Sequence, residues 1–110
     1  MVFNMAKDIE TAAQFEGKCM FEHRTVRYYL TDIKLSLNDE EINLEEIERA
    51  FSDKDGIRII FKDRRPSIKF EPLTNIYQRK TSPMNADDEK KQLRDRLTNA
   101  INNELKPKSH

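Results

Sequence analysis

The feature that most constrains this chain is a succession of short runs rich in aromatic and β-branched residues, each cut off by turn-forming polar residues. One long segment follows in which apolar residues recur every fourth position. Short runs with period-two alternation form strands, and a sustained i+4 stripe forms an amphipathic helix, so the pattern predicts a strand-rich domain closed by one helix. The first runs are Cys19, Met20 and Phe21, then Thr25, Val26, Tyr28, Tyr29 and Leu30, with Glu22, His23 and Arg24 as a tight connection. Ile33, Leu35 and Leu37 alternate with Lys34 and Ser36, the period of a half-buried strand. Asn38 to Glu41 then turns the chain. Asp55 and Gly56 form a turn pair leading into Ile57, Ile59, Ile60 and Phe61; after Asp63 to Pro66 come Ile68 and Phe70, which together predict a hairpin.

The segment between these groups is ambiguous. Leu44, Ile47 and Phe51 keep a helical spacing, with Asn43 as a cap and Glu46 at its third position, whereas Ile42 and Leu44 alternate as a strand would and Ile47 to Phe51 reads as another. Local pattern leaves both open. The closing segment is not ambiguous: Asn85 can cap a helix whose first turn holds Asp87, Asp88 and Glu89, where carboxylates suit the positive end of the dipole. Leu93, Leu97, Ile101 and Leu105, with Ala100 beside them, form the buried stripe; Lys91, Arg94 and Arg96 are expected to face water, and Pro107 stops the helix.

At 110 residues the chain is long enough for one core and too short for two, so a single domain over residues 15–105 is expected. Residues 1–14 read as a short helix or an arm, and residues 106–110 as a flexible tail. Leu73, Ile76 and Tyr77 punctuate a polar connection between the hairpin and the helix, a connection too long to be only a turn. Within it Thr81 and Ser82 follow Arg79 and Lys80, where phosphorylation would add charge beside a basic stretch. Lys7, Asp8 and Glu10 interrupt any apolar leader, and no run of about 18 apolar residues occurs. The single cysteine, Cys19, cannot form an intramolecular disulfide, and its apolar neighbours mark it as a core residue; an intracellular location, cytoplasmic or nuclear, is expected.

Twenty basic and twenty acidic residues cancel, yet their distribution is polarised. Residues 1–55 carry 7 Lys/Arg against 13 Asp/Glu, a net of −6, and residues 56–110 carry 13 against 7, a net of +6. No global field drives the molecule onto a polyanion, so any such binding must be local.

The material for catalysis is poor. Two histidines, one of them in the tail, do not supply a multi-histidine metal site or a catalytic triad, and two glycines exclude a glycine-rich phosphate loop. His23 and Cys19 could pair as base and nucleophile only across a tight turn. The acids from Asp39 to Glu48 lack the Asp/Asn-Gly alternation of a calcium loop. The sequence therefore predicts no enzyme, no cofactor and no metal. The strongest constellation is the hairpin cluster Arg58, Lys62, Arg64, Arg65 and Lys69: Arg58, Ile60 and Lys62 project to one side of a strand, and the turn adds two guanidiniums suited to carboxylate or phosphate groups. With Leu73, Ile76 and Tyr77 it forms the expected partner-binding surface. Tyr28 and Tyr29 lie near basic residues, but no recognised RNA or DNA module fits, which argues against nucleic acid as the partner.

The order of elements resembles a divergent member of the PH-like domain superfamily. The residues that carry the resemblance are Phe15 to Phe21, Thr25 to Leu30, Ile33 to Leu37, Glu41 to Leu44, Ile47 to Phe51, Ile57 to Lys62, Ser67 to Glu71 and the helix from Asn85. The resemblance implies a mainly β, α+β fold, a bent seven-stranded barrel of two near-orthogonal antiparallel sheets capped by a C-terminal amphipathic helix, and it implies strands across the ambiguous segment. It also implies a non-catalytic adaptor that recruits a protein partner through an acidic segment. The alternative it carries is a peripheral membrane module reading phosphoinositide head groups, an anionic lipid, through Lys18, Arg24 and Arg27. A third reading is a small enzyme with an unrecognised site.

Overall fold

The computed structural model describes residues 15–77 and 85–105. The expected N-terminal arm, the tail, Thr81 and Ser82 lie outside the described residues. The elements run β1 (Phe15–Phe21), β2 (Arg24–Leu30), β3 (Lys34–Leu37), β4 (Glu40–Asn43), β5 (Ile47–Asp53), β6 (Gly56–Phe61), β7 (Ile68–Pro72) and α1 (Ala86–Leu105). The fold is mainly β: seven antiparallel strands in one curled, half-barrel sheet, with one helix at its C-terminal end. Pairing follows the order β4-β3-β2-β1-β7-β6-β5, which leaves β4 and β5 as the edges.

The ambiguous segment resolves into strands. β4 and β5 are separated by a single 3₁₀ turn, Leu44–Glu46, in which the backbone N–H of Ile47 bonds to the carbonyl of Leu44. Helical periodicity fails there because Ile42, Leu44 and Ile47 are all buried against one core, and tertiary burial outweighs a propensity difference of at most about 1 kcal/mol per residue.

Alternation sets the core. Phe15, Cys19 and Phe21 from β1, Val26, Tyr28 and Leu30 from β2, and Ile57, Ile59 and Phe61 from β6 point inward, as the period of two demands. The i+4 stripe of α1 buries Leu93, Leu97, Ala100 and Ile101 against them, with Leu105 half-buried. Asn85 caps the helix as the sequence predicts, its Oδ1 accepting the N–H of Asp88 at 2.8 Å. Lys91 is exposed as expected, but Arg94 and Arg96, which flank the stripe, are half-buried. Ile33 also departs from the pattern: it precedes β3 and is 66% exposed, while the polar Ser36 is buried.

Three chain reversals use left-handed residues other than glycine. Between β1 and β2 both Glu22 (φ 53°) and His23 (φ 67°) lie there, as a two-residue type I′ hairpin requires. Asn38 (φ 60°) begins the β3–β4 turn and Lys54 (φ 58°) the β5–β6 turn. The latter shifts the expected Asp55-Gly56 turn by one residue, since Asp53 pairs with Gly56 and the loop is Lys54-Asp55. Gly56 is needed for space instead: a Cβ there would crowd the Phe70 carbonyl and the Lys69 side chain.

β5 is an exposed edge only in the order of the strands. Asn102 of α1 reaches it with both ends of its amide, Oδ1 accepting the Ala50 N–H at 2.9 Å and Nδ2 donating to the Ala50 carbonyl at 2.8 Å. The helix thus occupies backbone groups that a neighbouring strand would otherwise bind.

Candidate functional site

The β6–β7 hairpin carries the predicted cationic cluster, and the fold treats its members differently. Arg58 lies opposite Lys69 on the outer face of the sheet. Its Nε bonds to Asp53 Oδ2 at 2.7 Å and its Nη1 to Ser67 Oγ at 3.0 Å, a fixed fork across β5, β6 and the turn. That hydrogen bond, against desolvation and with help from the charges of Lys69, Arg58 and Lys54, holds the Asp53 carboxyl below its ordinary value. Arg65 is committed as well: Nη2 reaches Asp63 at 3.0 Å and Glu46 at 3.2 Å, and the guanidinium stacks 4.3 Å from the centre of the Phe61 ring. The Asp63 hydrogen bond comes first in lowering that carboxyl and in raising Arg65.

These contacts show where part of the charge polarisation goes. Asp53 and Glu46 belong to the acidic half, Arg58 and Arg65 to the basic half, and the pairs neutralise one another inside the fold. Lys62 and Arg64 are exposed and make no ion pair with any of the described residues. Together with half-buried Lys69 they are the hairpin cations left to an outside anion.

Leu73, Ile76 and Tyr77 are not beside this cluster. They follow β7, while the β6–β7 turn precedes it, so five strand residues, about 16 Å, separate them from Lys62, Arg64 and Arg65, with Lys69 lying between on β7. The segment is pinned along β1 through its backbone: the N–H of Leu73 and of Ile76 donate to the carbonyls of Lys18 and Glu16, at 2.8 and 2.7 Å. Side chains complete the mimicry of a strand, with Thr74 Oγ1 accepting from Lys18 N and Asn75 Oδ1 from Glu16 N. Buried Tyr28 donates its hydroxyl to the Thr74 carbonyl at 2.8 Å. Gly17 permits this approach, because a Cβ at that position would fall on the Thr74 carbonyl. Leu73 is half-buried, whereas Ile76 is 64% and Tyr77 54% exposed.

The residues of the lipid alternative lie on β1 and β2. Lys18 and Arg27 are direct cross-strand partners and both are exposed, but Arg27 Nη2 is bound to Glu16 at 3.0 Å. Arg24 stands at the end of the hairpin, opposite Phe21. The connecting turn has only two residues, Glu22 and His23, too few to wrap a phosphorylated ring.

Nucleophilic chemistry finds no support at Cys19. It is fully buried, and burial pushes its thiol up to about 12, away from the reactive thiolate. Burial, with a smaller contribution from Cys19, also raises the Tyr28 hydroxyl. His23 is exposed at the turn while Cys19 faces the core, so the two do not form a base–nucleophile pair. Among the described residues no group of three or more His, Cys, Asp or Glu side chains could hold a metal ion. No helix among them is long and apolar enough to cross a membrane.

Sequence reasoning missed one feature of this region. β1 and β7 pair only at Cys19↔Pro72 and Met20↔Glu71, and beyond that point the register does not continue to Phe21 and Phe70. A groove of about 560 Å³ opens there, lined by Met20 to His23 from β1 and its turn and by Ser67 to Glu71 from β7. A second recess of about 450 Å³ shares Phe21, Glu22, Ser67 and Ile68 and extends toward Ile42, Phe61 and Arg65. Strand divergence depends on long-range pairing, which no local sequence signal encodes.

No family model matches the chain, and no curated protein matches it.

Proposed function

We propose that this chain is a non-catalytic, intracellular PH-like interaction module that recruits a protein partner by binding an acidic segment at the β6–β7 hairpin. The observation that carries the reading is the division among the hairpin cations. Arg58 and Arg65 are fixed by internal carboxylates, and Lys62 and Arg64 are exposed without a carboxylate partner among the described residues. Fixed guanidiniums hold the turn in place, and the free cations then meet an anion with little further ordering. Support for the PH-like part comes from the element order, seven antiparallel strands and then a helix that packs on β5, β6 and β7. The division of such a barrel into two near-orthogonal sheets would fall at the short β1–β7 pairing.

A second reading has its own observation. Lys18 and Arg27 are exposed cross-strand neighbours, and exposed Ile76 and Tyr77 follow backbone pinned to the same β1 residues. Cations beside exposed apolar side chains suit an anionic lipid surface.

One experiment separates the two. The full chain and a Lys62→Glu, Arg64→Glu variant are tested for binding to a glutamate-rich peptide by fluorescence anisotropy, and for co-sedimentation with phosphatidylcholine vesicles with and without phosphoinositide. The proposal predicts peptide binding that weakens with salt and falls about tenfold or more in the variant, since each charge contact contributes about 1 kcal/mol. Unchanged peptide binding by the variant contradicts the hairpin assignment. Phosphoinositide-selective sedimentation without peptide binding replaces it by the lipid reading.

A further inference from the structure

We infer that the acidic partner segment runs on from the hairpin turn across the outer face of β5 and β6, setting an apolar side chain on Phe51 and Ile60 and a carboxylate on Arg49. This rests on the acidic-segment reading above and adds the footprint and a second chemical requirement on the ligand.

A fault in the alternation of β5 comes first. Residues two apart on a regular strand share a face, so Ile47 and Arg49 should point the same way. They do not: the register slips between them, and they pair with consecutive residues of β6, Phe61 and Ile60. Ile47 is buried and Arg49 is exposed. The extra residue, Glu48, makes a bulge, a device by which a strand re-aims a side chain beside a functional site. Arg49 is thereby turned onto the outer face while Ala50 returns to the core.

On that face Arg49 joins an apolar patch. Ile57, Ile59 and Phe61 are buried, so Arg58 and Ile60 stand outward, and the register sets Arg49 against Ile60 and Phe51 against Arg58. Two cations and two apolar side chains therefore occupy alternate corners of one square. The solvated face of an antiparallel sheet is ordinarily polar, yet Phe51 and Ile60 sit there as neighbours, each half-buried. The two guanidiniums differ in what they hold. Arg58 is fixed by Asp53 and Ser67. Arg49 lies 4.9 Å from the centre of the Phe51 ring and makes no ion pair with any of the described residues. A guanidinium stacked by its face keeps its N–H edge for a carboxylate.

Charge decides what settles on the patch. On the outer face of β5, β6 and β7 and at the β6–β7 turn, Arg49, Lys62, Arg64 and Lys69 make no ion pair with any of the described residues, against one such carboxylate, Glu48. Asp53, Asp63 and Glu71 are already taken by Arg58, Arg65 and Lys90. Spare cations around an apolar centre suit a segment whose acids flank an apolar residue. The reach is short. Lys62 lies two residues beyond Ile60, about 7 Å along the chain, and Arg49 one strand spacing across, about 5 Å, so four or five extended ligand residues cover the distance.

The test uses the full chain and two glutamate-rich peptides that differ only at one central position, leucine in one and serine in the other, read by fluorescence anisotropy. The leucine peptide should bind about fivefold or more tightly than the serine peptide, as partial burial of a leucine side chain implies. Arg49→Gln should weaken the leucine peptide by about fivefold or more. Lys91→Gln, which removes an exposed cation from α1, should leave binding unchanged. Equal binding of the two peptides overturns the inference, and so does a loss in Arg49→Gln no larger than that in Lys91→Gln. In either case a loss of about tenfold in the Lys62→Glu, Arg64→Glu variant leaves the acidic-segment reading standing. Binding that this double variant does not change, or no binding of either peptide, removes both.

Discussion

At the scale of single residues, space and solvation decide more than charge does. Gly17 sits where the Thr74 backbone crosses β1, and nothing flexible can give way to a Cβ because the obstacle is a carbonyl held by Tyr28. Gly17→Ala should therefore lower stability by about 2 kcal/mol, in the range of overpacked cores. Urea unfolding would show it as a lower midpoint with an unchanged slope. Cys19 gives a pH dependence. Its thiol stays protonated to about 12 when folded and ionises near 9.0 when unfolded, so the unfolded state loses its proton first as pH rises. Stability is then intact below 9.0 and falls above it, by up to about 1.4 kcal/mol per pH unit. Cys19→Ala should abolish that fall between pH 9.0 and 10.0, below the range where Tyr28 adds its own effect.

At the scale of elements, the period-two and i+4 patterns made most of the fold legible, because burial on one face leaves a direct record in the sequence. The inward residues of β6 and the stripe of α1 follow that record. Ile33 does not, since alternation cannot tell where a strand begins, and the chain enters β3 only at Lys34. The β4–β5 segment was illegible locally because its apolar residues fit both periods, and only the long-range ladders Leu35↔Ile42 and Ala50↔Ile59 decide between them. Asn102 left no signal at all, being one more polar residue on a helix. Its two hydrogen bonds to Ala50 nevertheless dock α1 on the β5 edge. Asn102→Ala should cost about 2 kcal/mol, two bonds at about 1 kcal/mol each, and should speed amide exchange at Ala50. Exchange at Ala50 unchanged from the wild type would show that the amide does not hold the edge.

At the scale of the whole molecule, the opposed charges of the two halves are partly consumed in building the fold. The Arg58–Asp53 and Arg65–Glu46 pairs join the halves, which is why two of the five hairpin cations that stand out in the sequence are structural. The candidate site was legible as a basic hairpin, but its internal division was not, because pairing partners come from β5 and the 3₁₀ turn. Ile76 and Tyr77 stood out as apolar residues in a polar connection, but the pattern left open whether they pin it or face outward, and their distance from the hairpin turn follows only from the direction of β7. What remains for an outside anion is Lys62 and Arg64 at the turn, the seat of the proposed acidic segment. The most direct measurement is an amide shift titration of the isotope-labelled full chain with the glutamate-rich peptide. Binding at the hairpin predicts shifts grouped at residues 62–69. Shifts grouped instead at Lys18, Arg27, Ile76 and Tyr77, or no shifts at saturating peptide, would contradict it.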